Sequence, residues 1–250
     1  MGGNACFCRA SHHDISQLFA IYITLGLPPM LRRPVLLALF IICACQARAG
    51  QPSITVAYSP SLDSACSFVR GGTIKDEWKA ELVSRKAEFE ALWTSVGTKL
   101  IEATEAITGK PFPTEHVTAR LTLCNLPSQS IVGVSVNMRF ALNSFVSPPV
   151  PMRYKVDTLF HELLHLFLAS HPMEKSALLV EHASEPECTR NHLHLLALQK
   201  AVLLKLQEPE ALQTVVNVDT QLPGGCYRRA WALVNASETE YLKYVAELTR

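Results

Sequence analysis

Residues 53–58 read SITVAY, an alternating run rich in β-branched side chains, which predicts a strand. From Lys75 the period changes. Trp78, Leu82, Phe89, Leu92, Val96, Leu100 and Ile107 recur at helical spacing, and Gly109-Lys110-Pro111 stops the run. This predicts one long amphipathic helix over 75–108, with a break near Gly97. Alternation returns at 116–124 (HVTARLTLC) and at 131–140 (IVGVSVNMRF), so two more strands are expected before Pro148, Pro149 and Pro151. Beyond Pro151 the pattern turns helical. Helices are expected at 154–170, ended by Pro172, at 175–182, 189–207, 225–236 and 238–248. Strands and a helix first, then an almost all-helical half, make an α+β fold.

The N-terminal part has another texture. Met30-Leu31-Arg32-Arg33-Pro34 leads into an apolar stretch from Val35 to Cys45, and Gln46-Ala47-Arg48-Ala49 follows. A basic start, a short apolar core and an Ala-x-Ala ending describe a secretory signal peptide over 30–49, cut after Ala49. The stretch is short of the roughly 20 residues that span a bilayer. Residues 1–29 then read as a misassigned extension ahead of the true start at Met30, and 50–250 as one domain with no integral membrane segment. A minority alternative takes Ile42-Cys43-Ala44-Cys45 as a lipobox, with the protein anchored through Cys45. Otherwise the product is exported, to a periplasm or outside the cell.

Composition then matters in two ways. Hydrophobic residues are 48% and charged ones 18%, which excludes a mainly disordered chain. The 250-residue chain carries net charge +1. Its first 49 residues hold four Arg and one Asp, which leaves 19 basic and 21 acidic groups, net −2, in the remainder. Neither value recommends a nucleic-acid partner. Cys66, Cys124, Cys188 and Cys226 lie beyond the signal peptide, and in an oxidising compartment an even number suggests two disulfides. Four cysteines allow three connectivities. Cys66–Cys124 with Cys188–Cys226 is the preferred one, because each bridge then stays within one half of the chain.

His161-Glu162-Leu163-Leu164-His165 is HExxH. On a helix, residues four apart share a face, so both imidazoles can meet one ion. The intervening Glu then points at water beside that ion. The pattern suits a Zn2+ hydrolase: His161 and His165 as ligands, a third ligand from elsewhere, and Glu162 as general base. The flanking residues are nearly all apolar, and buried polar groups without partners cost a few kcal/mol each. A metal supplies the partner.

With this motif and element order the chain resembles the zincin metallopeptidases over roughly residues 53–250. The resemblance implies a small antiparallel or mixed sheet and a helix in the first half, the HExxH helix, and a mainly helical second half. It also implies that 131–140 is the edge strand alongside an extended peptide or protein substrate.

Several residues compete for the third ligand. His171 completes an HExxHxxGxxH spacing, but Leu168 stands where the metzincin branch has Gly. Leu at positive φ would cost about 1–2 kcal/mol, and on an unbroken helix His171 lies about 240° round from His165. The chain is therefore more gluzincin-like than metzincin-like, although no NExxA motif is present. The stretch 185–194 (EPECTRNHLH) opens the next long helix. His192 falls on its buried side and is the expected ligand. His171, Glu185 and His194, the last towards the exposed side, are the less favoured alternatives. Asp157, one turn before His161, either orients a ligand imidazole or serves the helix N-terminus. Tyr227, beside Cys226, is a candidate oxyanion donor. The expected function is an exported zinc peptidase. The alternatives are a non-catalytic exported binding protein with a structural or vestigial metal site, and a zinc hydrolase acting on a non-peptide bond.

Overall fold

The sheet is small: three short strands, with helices following the first and the third. The computed structural model describes residues 52–250, apart from Val132 and Glu174. The extension at 1–29, the signal peptide at 30–49 and Cys45 lie outside the described residues. Strands β1 (Ser53–Tyr58), β2 (His116–Thr122) and β3 (Ser135–Asn137) pair in that order, and both pairings are parallel. An antiparallel or mixed sheet was expected; the all-parallel one follows from the connections. Between β1 and β2 run two helices, α1 (Pro60–Arg70) and α2 (Asp76–Thr108), which carry the chain back to the starting end of the sheet.

α1 escapes the periodicity rule. Its outward face carries exposed Leu62, Phe68 and Val69, while the residue it buries is Asp63. Local signals start it instead: Ser59 caps it by accepting from the Leu62 amide, and Pro60 opens the first turn. Asp63 accepts from the Thr122 hydroxyl and, at 2.9 Å, from the Leu123 amide. The Cys66–Cys124 bridge holds the same two segments together.

α2 runs unbroken through Gly97. The indole of Trp93 lies over that position, so an added Cβ would sit 2.4 Å from Trp93 Cε2. The glycine gives room for a ring rather than a break.

The third expected strand is cut to three residues. Gly133, at φ 76°, turns the chain before it. The Asn137 side chain ends it by accepting from the Arg139 amide, and a short 3-10 turn follows at Arg139–Ala141. The outer edge of β3 is not open to a peptide in the expected way. Ser135 exchanges both backbone hydrogen bonds with Gln129, and the Asn137 amide donates to Ser128 Oγ.

The second half comprises α3 (Met152–Ser170), α4 (Ala177–Glu181), α5 (Glu187–Lys205), α6 (Pro209–Asp219), α7 (Cys226–Val234) and α8 (Glu240–Leu248). α6 is a further element without a counterpart in the expected pattern; Gln207, at φ 59°, reverses the chain ahead of it. α5 is the hub. Leu193, Leu195, Leu196, Ala197, Leu198, Val202 and Leu203 are all fully buried, and α2, α3, α6, α7 and α8 pack around it. Burial all round also moves His194 from its expected exposed side to a buried one. Among the described residues no helix is long and apolar enough to cross a membrane.

Replacing Asp63 by Ala removes the acceptor for two buried donors. Hydrogen bonds to charged groups are worth about 1.5–3 kcal/mol, so a loss of about 2–3 kcal/mol is expected. Urea unfolding of the oxidised protein with an unchanged midpoint would refute this account of α1.

Candidate metal centre

α3 sets His161 and His165 one turn apart on one face, with ring centroids 4.9 Å apart. α5 brings His192 against them, 5.4 Å from His161 and 5.1 Å from His165. One ring nitrogen from each histidine lies within 4.8 Å of the others, so the three could hold a metal ion. His194, Glu185 and His171 are engaged elsewhere. His194 Nε2 bonds Glu247 at 2.8 Å, Glu185 pairs with Arg229, and His171 Nδ1 donates to the Phe167 carbonyl at 2.9 Å.

The tautomers suit ligation. Gln199 Oε1 can only accept, so the contact of 3.2 Å with His161 Nδ1 places the proton there and leaves Nε2 bare. His192 Nδ1 donates to the Cys188 carbonyl at 2.7 Å. Its Nε2 is buried and has no hydrogen-bond partner among the described residues. A buried bare nitrogen beside two further imidazoles is what a soft-to-borderline cation satisfies. Charge points the same way. Burial, then the neighbouring imidazoles, holds His161 well below the usual histidine range and His165 down at about 4. Burial lowers His192 as well, against the pull of the Cys188 carbonyl. All three shifts favour the neutral imidazole, the form a metal needs.

Gln199 is the orienting residue that the sequence reading overlooked. Its Nε2 donates to the Asp157 carbonyl at 3.4 Å, so Asp157 supports His161 through its backbone and not through its carboxylate. The Asp157 side chain instead pairs with Arg153 at 3.2 Å. Gln199 follows His192 by seven residues on one helix face, and that spacing was the available signal.

Glu162 is buried next to the cluster. Burial raises its carboxyl to about 8, while a hydrogen bond from Ser130 works against that rise. Tyr227 reaches the site from α7: its hydroxyl is 3.4 Å from His161 Nε2 and its ring is 4.4 Å from His192. Burial, with the charges of Glu162 and Asp219, raises its phenol well above the ordinary value, so it remains a donor. Glu162, His161 and Tyr227 share a cavity of about 160 Å³, whose wall also includes Gln199, Asp157, Lys155 and Asp219.

The Cys188–Cys226 bridge stands directly behind this arrangement. Cys188 is one turn before His192, and Cys226 is adjacent to Tyr227. One covalent link therefore holds both side chains, and both sulfurs are occupied by it. No protein-family model, curated protein or solved structure matches the chain.

The purified protein should take up one Zn2+ by calorimetric titration. His161→Ala, His165→Ala and His192→Ala should each abolish that uptake, whereas His171→Ala should leave it intact. Gln199→Ala should weaken it by about 10–100-fold, the usual cost of losing a group that orients a ligand imidazole. Full zinc affinity in His192→Ala would remove the third ligand.

Proposed function

We propose that this protein is an exported zinc-dependent hydrolase, resembling the zincins, that cleaves peptide bonds. The carrying observation is the bare, buried His192 Nε2 beside His161 and His165, with the Glu162 carboxyl opening onto the adjoining cavity. Among the described residues three side chains converge in the cluster and no fourth joins them. That fits a catalytic set better than a closed structural one, which uses four. The two disulfides are compatible with export.

His161, His165 and His192 hold the ion. Zn2+ so held supplies a Lewis acid and lowers the pKa of water. Glu162 takes the proton of the attacking water and returns it to the departing amine. Burial pushes the Glu162 carboxyl up to about 8, and a cation beside it would draw it back down, favouring the ionised form that can accept a proton. The Tyr227 hydroxyl, held protonated, donates to the oxygen on which negative charge develops.

Glu162→Gln should keep zinc and lose about 10²–10⁴-fold in hydrolysis of a casein-derived peptide mixture, the range for a general base. Tyr227→Phe should keep zinc and lose less. Equal peptide turnover by Glu162→Gln and the parent protein would exclude Glu162 as the base. A zinc-loaded parent that cleaves no peptide in the mixture would favour the non-catalytic binding protein.

A further inference from the structure

The cavity beside the histidines carries a feature that hydrolysis does not use. Lys155 is nearly fully buried and is the only Lys or Arg on the cavity wall. Its ammonium makes no hydrogen bond or ion pair among the described residues. Its described contacts are the face of Tyr154, 5.4 Å from the ring centroid, and the field of Asp219. Asp219 is the obvious partner, but it makes no hydrogen bond or ion pair with Lys155 and each of its oxygens already accepts from another donor. Tyr154 donates to Oδ1 at 2.8 Å and Trp231 Nε1 to Oδ2 at 3.0 Å. Asp157 is committed on Oδ1 to Arg153, although its buried Oδ2 has no partner. The ammonium opens onto the cavity with three donors that the protein does not engage, so an acceptor entering there can meet it.

Position says what that is. Lys155 precedes Glu162 by seven residues, so both lie on one face of α3, about 10 Å apart along the axis. That is about three residues of extended peptide. The cavity, at about 160 Å³, is smaller than the ~300–1,000 Å³ pockets that bury a whole small molecule, and suits a single side chain or chain end.

Building on the hydrolase reading, we infer that this cavity is a carboxylate-binding subsite, in which Lys155 holds an acidic side chain or the terminal carboxylate of a peptide whose bond lies at Glu162. Lys155 is then the residue that selects the substrate. Tyr154 and Trp231 donate to Asp219, which offsets the lysine charge without a hydrogen bond to it. Burial draws the ammonium down to about 8, against Asp219, so an arriving carboxylate also relieves a desolvated cation.

Calorimetry on the metal-free protein tests this without any turnover. Four probes suffice: Nα-acetylglutamate α-amide for a side-chain carboxylate, Nα-acetylalanine for a terminal one, Nα-acetylglutamine amide as the neutral match, and Nα-acetyllysine amide as the cation. At least one carboxylate probe should bind about 10–100-fold more tightly than the neutral match, the range for a charge-assisted hydrogen bond. Whichever of the two binds more tightly identifies the source. Lys155→Met should erase the difference, with its fold checked by circular dichroism. If that variant does not fold, the ranking of the four probes on the parent protein decides alone. No preference for either carboxylate, tighter binding of the lysine probe at Asp157 and Asp219, or a preference that survives in folded Lys155→Met would each overturn the proposal. Zinc titration of the same sample reports separately on the histidine cluster, so failure of the subsite and failure of the hydrolase reading give different results.

Discussion

The closest constraint in this protein is the contact between α3 and α5. Both helices are apolar over most of their surface, and at the place where they meet each presents polar side chains to the other. The His161 side chain and the Asp157 backbone carbonyl on one side face Gln199 on the other, with His165 and His192 completing the contact. Packing alone would favour leucine there. Buried histidine nitrogens need partners, and two here have them in the surrounding helices: Gln199 meets His161 Nδ1 and the Cys188 carbonyl meets His192 Nδ1. The unanswered Nε2 of His192 is what makes the contact a site and not merely a seam.

The remainder of the fold serves that contact. α2 supports both helices from outside, and the parallel sheet lies against α3 through β3. α7 brings Tyr227, and the bridge at Cys188–Cys226 prevents α7 from drifting away from α5. Behind them, Asp219 gathers Tyr154 from α3, Trp231 from α7 and its own α6 into one hydrogen-bonded knot. Burial raises the Asp219 carboxyl to about 6, with the two donors pulling it back. Three of the four helices that wall the cavity are thus joined through one carboxyl group.

Much of this was legible in the residues. The long helix at α2, β1 and β2, and the helices at α3, α5, α7 and α8 announce themselves by period, and the preferred cysteine pairing is the one the structure holds. His192 was picked out by its place on the buried side of its helix. What escaped did so for physical reasons. α1 hides because its apolar residues face outward and its buried residue is an aspartate. α6 follows α5 after a left-handed turn at Gln207, a conformation that no glycine signals. β3 was overdrawn because the alternation in 131–140 continues through Gly133, where the backbone reverses. Gln199 and Lys155 carry no motif. Their roles come from which atoms lack partners, and that is decided only when helices distant in sequence are brought together.

The bridge between Cys188 and Cys226 closes a loop of chain that contains nearly all of α5, all of α6 and the turn at 220–225. A single backbone cut between His192 and Cys226 leaves one covalently connected molecule, with His192 on one side of the cut and Tyr227 on the other. The exposed turn with Gly224 and Gly225, where a protease would find access, lies within it. A nicked copy therefore holds its two pieces at high effective concentration. It comes apart only when a reductant is present as well, so integrity of the peptide chain and integrity of the centre are separate properties in this protein.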